Sequence, residues 1–428
     1  MPAPTFPPEI IASVVKNVDD RPTLELCALA ASVFLEPSQR QLYGLLKLRY
    51  DKDPQEAARG SDPEYRTYAA AAAHFEAFPH LAKYVSSIHV VLGAIRPVAL
   101  PAVGAMFLRL QHVRYCELHG SGQPVDWLLE WPIVVAWLST QTGLKHLAVY
   151  NVSKIPRVAL RAMLNAALSL ELSFGAEVGH PERDANYHPA PPSSKSSVLR
   201  RLNVLTCETF ETLARSREFA GYFKSLTALT MTADRENRLC FAAADSLQEL
   251  SLSFPQAPES ASLSSSASDS TLDASELPND SDLATSIRLP GSLPLLRNLR
   301  LMIDDFSGPQ DGPYLPLTLL SALVGAAPRL GRVTLQLCDI PLSLLADISS
   351  ASPATRSGIF TSAVGQALDE LLLPIGAVVW TPGDFYPDTS DTDPISSFAY
   401  AQLIDITVAG LKSSLPRTDA GGRLSMEA

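Results

Sequence analysis

The 428-residue chain has few cysteines and few basic residues, and each shortage excludes a class of protein. Its five cysteines are scattered and contain no Cys-x-x-Cys pair, which argues against a disulfide framework or a zinc motif and favours free thiols in a reducing compartment. Lys and Arg total 34 against 45 Asp and Glu, a formal charge of −11. We therefore expect no general nucleic-acid binding, which needs a cationic surface to displace phosphate counterions.

Long apolar runs are also missing. The most apolar window, residues 127–138, is interrupted by Glu130 and Pro132 and is shorter than the roughly 20 residues of a membrane helix. The sequence Met1-Pro-Ala-Pro4 has neither the basic segment nor the apolar segment of a secretory signal. The expectation is a protein of the cytoplasm and/or nucleus with no membrane partner.

Catalytic and metal-binding motifs are absent as well. The chain contains no Gly-x-Ser-x-Gly, His-Glu-x-x-His, Gly-x-Gly-x-x-Gly or P-loop pattern, and its eight histidines show no metal-ligand spacing. Asp388, Asp391 and Asp393 lack the glycine and the closing glutamate of a calcium loop. We predict a non-enzyme with no catalytic residue, no metal and no cofactor, and keep an enzyme with an unrecognised site as an alternative.

What is present begins with a small helical unit. Pro7 and Pro8 pre-set the backbone for a first helical turn, and Glu9 suits the helix dipole there. Thr23 is the expected cap of a second helix, and a third short helix is expected to start near Pro37-Ser38. The apolar positions of the three helices are Ile10, Ile11, Val14, Val15, Val18; Leu24, Cys27, Ala28, Ala31, with Leu26 and Leu29 on a second flank; and Leu42, Tyr43, Leu45, Leu46.

This unit has more apolar surface than it can bury alone. Three short helices in about 45 residues lie near the lower size limit for independent folding. The second helix is apolar on two flanks, and one small core covers only one of them. The other flank packs either on the rest of this chain or on another protein.

Phe6-Pro-Pro-Glu-Ile-Ile, Arg21-Pro-Thr-Leu, Leu26-Cys-Ala-Leu and Leu42-Tyr43 resemble the F-box, in the form common in mushroom-forming fungi. The resemblance spans residues 5–48 and implies a module that docks on a Skp-type adaptor of a cullin–RING ubiquitin ligase. The family usually has Trp where this chain has Phe34 and a basic residue where it has Ser32. The residues that we assign to the adaptor-binding module are Pro7, Pro8, Glu9, Ile10, Ile11, Val14, Leu24, Leu26, Leu29, Phe34, Leu42 and Tyr43.

A leucine-rich array follows. The pattern apolar-x-x-apolar-x-apolar recurs in nine copies, which start at Val85, Leu110, Leu144, Leu199, Leu226, Leu247, Leu296, Leu330 and Leu368, and a weaker strand lies at 168–174. Each copy predicts a strand and a returning helix or loop whose apolar side chains only neighbouring repeats can bury. The array resembles the divergent leucine-rich repeats of F-box proteins.

The predicted fold class is therefore α/β: a short N-terminal three-helix F-box-like module and then an irregular leucine-rich-repeat solenoid with a parallel concave sheet and convex helices or loops. The domains are residues 1–50, the helical module; 51–80, a connecting loop and helix; 81–380, the solenoid, with disordered insertions near 178–196 and 256–286; and 381–428, a loop and C-terminal tail.

Alternate strand residues should face the concave side of the sheet. Arginine grips carboxylates, and arginine and tyrosine are enriched at binding hot spots. The client-binding candidates on that face are His89, Arg114, Tyr150, Asn203, Arg300 and Arg332. The predicted function is the substrate-recognition subunit of a cullin–RING ubiquitin ligase, which binds a Skp-type adaptor and an unidentified client protein. The alternative is a leucine-rich-repeat interaction scaffold whose F-box no longer engages the ligase, because of Phe34 and Ser32.

Overall fold

The computed structural model describes residues 7–50, 65–93, 95, 97–120, 125–127, 131–173, 175–179, 198–204, 213–214, 216, 218–233, 237–253, 288–303, 317–337, 359–360, 362–382 and 397–426. The chain forms two compact units, Met1–Tyr222 and Phe223–Ala428. Among the described residues, no helix has the length and hydropathy needed to cross a membrane.

The first unit begins with three helices and continues as alternating strands and helices. Its helices are α1 Pro8–Lys16, α2 Arg21–Ala30, α3 Ser32–Tyr43, α4 Tyr68–Ala77, α5 Leu100–Arg109, α6 Pro132–Thr140 and α7 Arg157–Ala166. The short helix α8, Ala220–Phe223, includes the last residues of the first unit and the first residue of the second. Its strands are β1 Leu45–Arg49, β2 Arg66–Thr67, β3 Ser87–Val91, β4 Tyr115–His119, β5 Val125–Asp126, β6 Leu144–Tyr150, β7 Val152–Ser153, β8 Ala167–Ser173 and β9 Arg201–Val204.

Local capping sets the ends of the N-terminal helices. Pro8, whose fixed φ suits a first turn, starts α1. Asp20 caps α2, because its carboxylate accepts a hydrogen bond from the Thr23 amide at 2.8 Å. Hydrogen bonds from the Thr23 side chain and amide lower the pKa of Asp20. The predicted cap, Thr23, instead lies inside the first turn of α2, which begins at Arg21.

The main sheet of the first unit is parallel and open. Strands β1, β3, β4, β6, β8 and β9 lie side by side in chain order, and β2 pairs with the free side of β1. Connections between parallel strands of one sheet are almost always right-handed. When each new strand is added on the same side of the previous one, such connections place all the helices on one face of the sheet. This α/β arrangement is the one expected of a solenoid-like fold.

One face of this sheet is apolar, and the strand register keeps it so. Ile88, Cys116, Leu147 and Leu170 are register partners on successive strands, and each is at most 1% exposed. A second row of register partners contains Leu48, Val90, Leu118, Val149 and Leu172, all completely buried. The helices form a layer of their own, in which α4, α5, α6 and α7 pack on one another in succession.

Gly120, at the end of β4, allows two backbone segments to approach closely. A Cβ atom there would lie 1.9 Å from the Asn151 carbonyl oxygen, and the Gly120 amide donates to the Tyr150 carbonyl at 2.8 Å. We expect Gly120→Ala to lower the free energy of unfolding by about 1–3 kcal/mol, because the backbone must shift.

Gly143→Ala is the matched control for Gly120→Ala, since a Cβ at Gly143 would meet no atom within 4 Å. Urea unfolding followed by circular dichroism measures both variants. Equal stability of the two would contradict the close approach at Gly120.

The second unit is a parallel α/β array. Its strands β10 Ala228–Thr232, β11 Glu249–Ser253, β12 Asn298–Ile303, β13 Arg332–Leu337, β14 Ala377–Pro382 and β15 Leu424–Met426 pair in chain order. Its helices are α9 Arg238–Ala243, α10 Leu317–Ala326, α11 Ser362–Leu372, α12 Ser397–Ser414 and α13 Pro416–Ala420. The buried Asp369 carboxylate joins α11 to α13 by accepting hydrogen bonds from the Arg417 amide and from the Thr418 amide and hydroxyl.

Three predicted elements differ from the structure. Leu45 and Leu46, which we predicted in a third helix, belong to β1. Gly44 ends α3, and the residues after it alternate between exposed and buried positions, which suits a strand that pairs with β3. Tyr115, the last apolar position of the copy that starts at Leu110, was expected to be buried and is 47% exposed. β4 starts at Tyr115, and a shift of one residue in the strand register exchanges the buried and the polar face. The copy at Leu368 is helical, since Leu-x-x-Leu also fits one side of α11.

The predicted C-terminal boundary also differs. We expected a loop and tail over 381–428, yet 397–414 form α12 and Leu424–Met426 form β15, which pairs with β14. Burial of Leu411 and Leu415 holds this segment in the second unit. Of the two predicted insertions, Val178 bridges to Ile155, while 180–196 and all of 256–286 lie outside the described residues.

Candidate functional site

The N-terminal helices expose a set of large apolar side chains. We define the exposed apolar set as Ile10, Val14, Leu26, Leu29, Val33 and Leu35, whose exposed fractions run from 42% to 83%. Each helix contributes two of them, and Leu26 and Leu29 are the most exposed. Exposed apolar residues that occur singly need no explanation, whereas a concentration of them in one small module indicates an interaction surface.

The same helices keep a small interior. Ile11, Val15 and Leu24 are at most 8% exposed, and α3 packs against both α1 and α2. Gln41 on α3 donates from Nε2 to the Val18 carbonyl oxygen at 2.7 Å, which ties the end of α1 to α3. The module therefore buries one side of α1 and α2 and leaves the other exposed.

The residues predicted for adaptor binding separate accordingly. Ile11 and Leu24 lie in the interior of the module, and Phe34, Leu42 and Tyr43 are half-buried. The remaining predicted residues are exposed: Pro7, Pro8, Glu9, Ile10, Val14, Leu26 and Leu29. Val33 and Leu35 are exposed residues that the sequence did not single out. Their i, i+2 spacing at the start of α3 fits no single helix face, so periodicity gave no signal.

The module is joined to the sheet without a linker. Gly44 is the only residue between α3 and β1, and its carbonyl oxygen accepts hydrogen bonds from the amides of Ser86 and Ser87. The Tyr43 ring stacks on the His74 ring of α4, with centroids 5.6 Å apart. Burial lowers the pKa of His74, and the charges of Arg66 and Arg21 lower it further, so this ring is neutral at neutral pH.

The second candidate site is the polar face of the first unit's sheet, on the side opposite the buried residues. Two rows of register partners cross it. One contains Lys47, His89, Glu117, Ala148, Glu171 and Asn203, and the other contains Val91, His119, Tyr150 and Ser173. Ala148 is completely buried although it lies on this face, so the larger side chains around it close over it.

Three of these residues, His89, Glu117 and His119, form what we call the histidine cluster. Glu117 Oε2 lies 3.3 Å from His119 Nε2 and 4.0 Å from His89 Nδ1. The two imidazole rings are 4.2 Å apart between centroids. The side chains are 22%, 47% and 29% exposed in the order His89, Glu117, His119, so they are accessible to a ligand yet partly shielded from water.

The surroundings keep His89 uncharged. Burial lowers its pKa most, and the neighbouring His119 and Lys47 lower it further, against the opposing effect of Glu117. Its Nδ1 lies 3.2 Å from the Tyr65 hydroxyl. A neutral imidazole carries a lone pair for a hydrogen-bond donor or a metal ion.

The polar contacts continue on the neighbouring strands. The Tyr150 ring packs on His119 with centroids 4.7 Å apart, and its hydroxyl donates to Glu171 Oε1 at 3.3 Å. Burial raises the pKa of Tyr150 to about 12, with the Glu171 charge as the next cause, so the hydroxyl stays protonated. His146 lies 3.8 Å from Glu171 and 3.2 Å from the Ser169 hydroxyl.

The structure brings two of the predicted client-binding residues, His89 and Tyr150, into this neighbourhood, both in contact with His119. Asn203 lies on the same face beside Glu171, and its buried Oδ1 has no hydrogen-bond partner among the described residues. Arg114 is exposed just before β4 and is outside the strand.

Arg300 and Arg332 belong to the second unit. They lie on the face of its sheet opposite the buried leucines, in two different rows of register partners. Arg300 is exposed and Arg332 is half-buried.

Sequence analysis missed Glu117 and His119. The predicted register of this strand was wrong by one residue. It placed Arg114 and Cys116, instead of Glu117 and His119, on the polar face. The signal that was available is the alternation Tyr-Cys-Glu-Leu-His over 115–119, in which polar residues flank two apolar ones. Comparison with known proteins adds no assignment: neither a scan against models of protein families nor a search among curated proteins finds a match.

Proposed function

We propose that this chain is an F-box-like substrate receptor of a cullin–RING ubiquitin ligase. The exposed apolar set would bind a Skp-type adaptor, and the polar faces of the parallel sheets would hold a client protein. Catalysis by the ligase would then need only proximity, because tethering raises the effective concentration of the client near the transferase.

The observation that carries this proposal is the exposure of Leu26 and Leu29 on α2. They are 66% and 83% exposed, while Leu24 on the same helix is buried. Solvent-facing leucines of this kind are costly unless another molecule covers them. They coincide with the segment Leu26-Cys-Ala-Leu29 on which the F-box resemblance rests.

Client binding rests on the composition of the polar face. Histidine, tyrosine and carboxylate side chains are concentrated on adjacent strands there, which gives a surface of ring planes with polar edges. Aromatic rings that combine apolar area with a hydrogen-bonding group are favoured at protein interfaces.

A scaffold that has lost ligase binding is the second candidate, and Phe34 favours it. The ring is half-buried within the module, at a position where the family usually has a larger indole. A phenyl ring offers less contact area and no N–H donor.

Co-purification with a recombinant fungal Skp-type adaptor tests the proposal. The full chain is mixed with the adaptor and the mixture is analysed by size-exclusion chromatography with light scattering. We expect a stable complex of one chain with one adaptor. Failure of the well-folded chain to bind adaptors from several fungi would leave the scaffold function in its place.

A further inference from the structure

We propose that the histidine cluster, His89, Glu117 and His119, is a binding site for a divalent transition-metal ion, and that Zn²⁺ is the ion its donors suit best. The inference does not depend on the proposed ligase function. It follows from the donor types, their separations and their partial exposure on the polar face.

The donor set is the first argument. Two imidazoles and one carboxylate are ligands for zinc, and three protein ligands leave a further coordination position. Glu117 and His119 alternate on β4 and so point to the same face, while His89 is the register partner of Glu117 on β3. Two rigid parallel strands therefore present all three donors side by side.

The distances are the second argument. Two ligands that each lie about 2.1 Å from a tetrahedral zinc ion are about 3.4 Å apart. The His119–Glu117 pair is at 3.3 Å, the His89–Glu117 pair is at 4.0 Å, and one donor atom from each residue lies within 4.8 Å of the other two. Small side-chain rotations are enough to reach the coordination distances.

Electrostatics act in both directions. The Glu117 carboxylate supplies a negative charge. Lys47, the register partner of His89 on β1, opposes a cation, although its ammonium is directed over the Tyr65 ring at 5.5 Å from the centroid.

The neighbouring residues would orient the ligands. The Tyr150 ring packs against the His119 ring. The Tyr65 hydroxyl lies 3.2 Å from His89 Nδ1, the nitrogen that is 4.0 Å from Glu117, so it would have to move away for that nitrogen to bind an ion. Groups that fix the orientation of ligating histidines usually strengthen a metal site. The further coordination position would face the side of the sheet where a bound partner could supply a ligand.

The test is a zinc titration of the full, chelator-treated chain in competition with a chromophoric chelator. We expect one stoichiometric binding step in the unmodified chain and its loss in the double variant His89→Ala/His119→Ala. Glu117→Gln, which keeps the side-chain shape, should weaken binding at least about tenfold, since it replaces a charged ligand by a poor one.

His146→Ala is the matched control, because His146 lies on the same face but contacts Ser169 and Glu171 instead of the cluster. It should bind zinc as the unmodified chain does. Cobalt(II) provides a second readout, through the ligand-field absorption of a site with imidazole nitrogen ligands. Equal zinc affinity in the unmodified chain and the double variant, or no binding step in either, would overturn the proposal. The cluster would then be a polar contact network in which Glu117 is hydrogen-bonded to His119 and lies 4.0 Å from His89.

Discussion

The double variant Leu26→Asp/Leu29→Asp is expected to lose binding to a Skp-type adaptor while it stays folded. The two side chains are 66% and 83% exposed in the free chain, so their replacement removes little internal packing. Burial of a leucine side chain contributes about 1.5–3 kcal/mol. Loss of two such contacts amounts to roughly 3–6 kcal/mol, which weakens binding by at least about 100-fold.

Val98→Asp is the control for that experiment. Val98 is 95% exposed in the turn Pro97–Ala99, away from the N-terminal helices in sequence, and carries the same kind of change from an apolar residue to an acid. Isothermal titration with the purified adaptor measures all three proteins, and circular dichroism checks their folding. Retention of full affinity in the double variant would show that the adaptor binds another surface.

Trp137→Ala is expected to cause a large decrease in the free energy of unfolding. Trp137 on α6 is completely buried, its ring packs on Phe107 at 5.5 Å between centroids, and its Nε1 donates to the Leu110 carbonyl oxygen at 3.1 Å. Truncation of a buried tryptophan leaves a cavity and costs about 3–5 kcal/mol.

Leu108→Ala serves as the comparison, because Leu108 lies on the neighbouring helix α5 and is 51% exposed. Its substitution should change the free energy of unfolding by about 1 kcal/mol or less. Urea unfolding is followed by far-ultraviolet circular dichroism, since removal of a tryptophan alters fluorescence. A loss below about 1 kcal/mol for Trp137→Ala would contradict the packing described for α5 and α6.

Much of the α/β arrangement could be predicted from local sequence. The apolar pattern at Ile88 and Val90 predicted β3, and the one at Leu299 and Leu301 predicted β12, because a strand buried on one face needs period two. The pattern failed at 362–372, where leucines three and four residues apart fit a helix equally well. It also failed at Leu45, where no turn signal other than Gly44 separates a helix from a strand.

Of the two candidate sites, one could be predicted from the sequence and the other could not. The exposed leucines of α2 could be predicted, since an excess of apolar flank is visible in a helical sequence. The histidine cluster could not, because His89 and Glu117 are 28 positions apart in the sequence and only the pairing of β3 with β4 makes them neighbours. A one-residue error in the register of β4 was enough to replace Glu117 by Cys116 on the polar face.

The direct junction at Gly44 has a consequence for any complex that this chain forms. One residue separates α3 from β1, and the Gly44 carbonyl accepts hydrogen bonds from the amides of Ser86 and Ser87, so the helical module is attached directly to the sheet that follows it. A protein bound to that sheet would therefore lie at a fixed distance from a protein bound to the helices. Which of its residues came within range of modification would depend on its own shape and orientation, because no flexible linker would vary that distance.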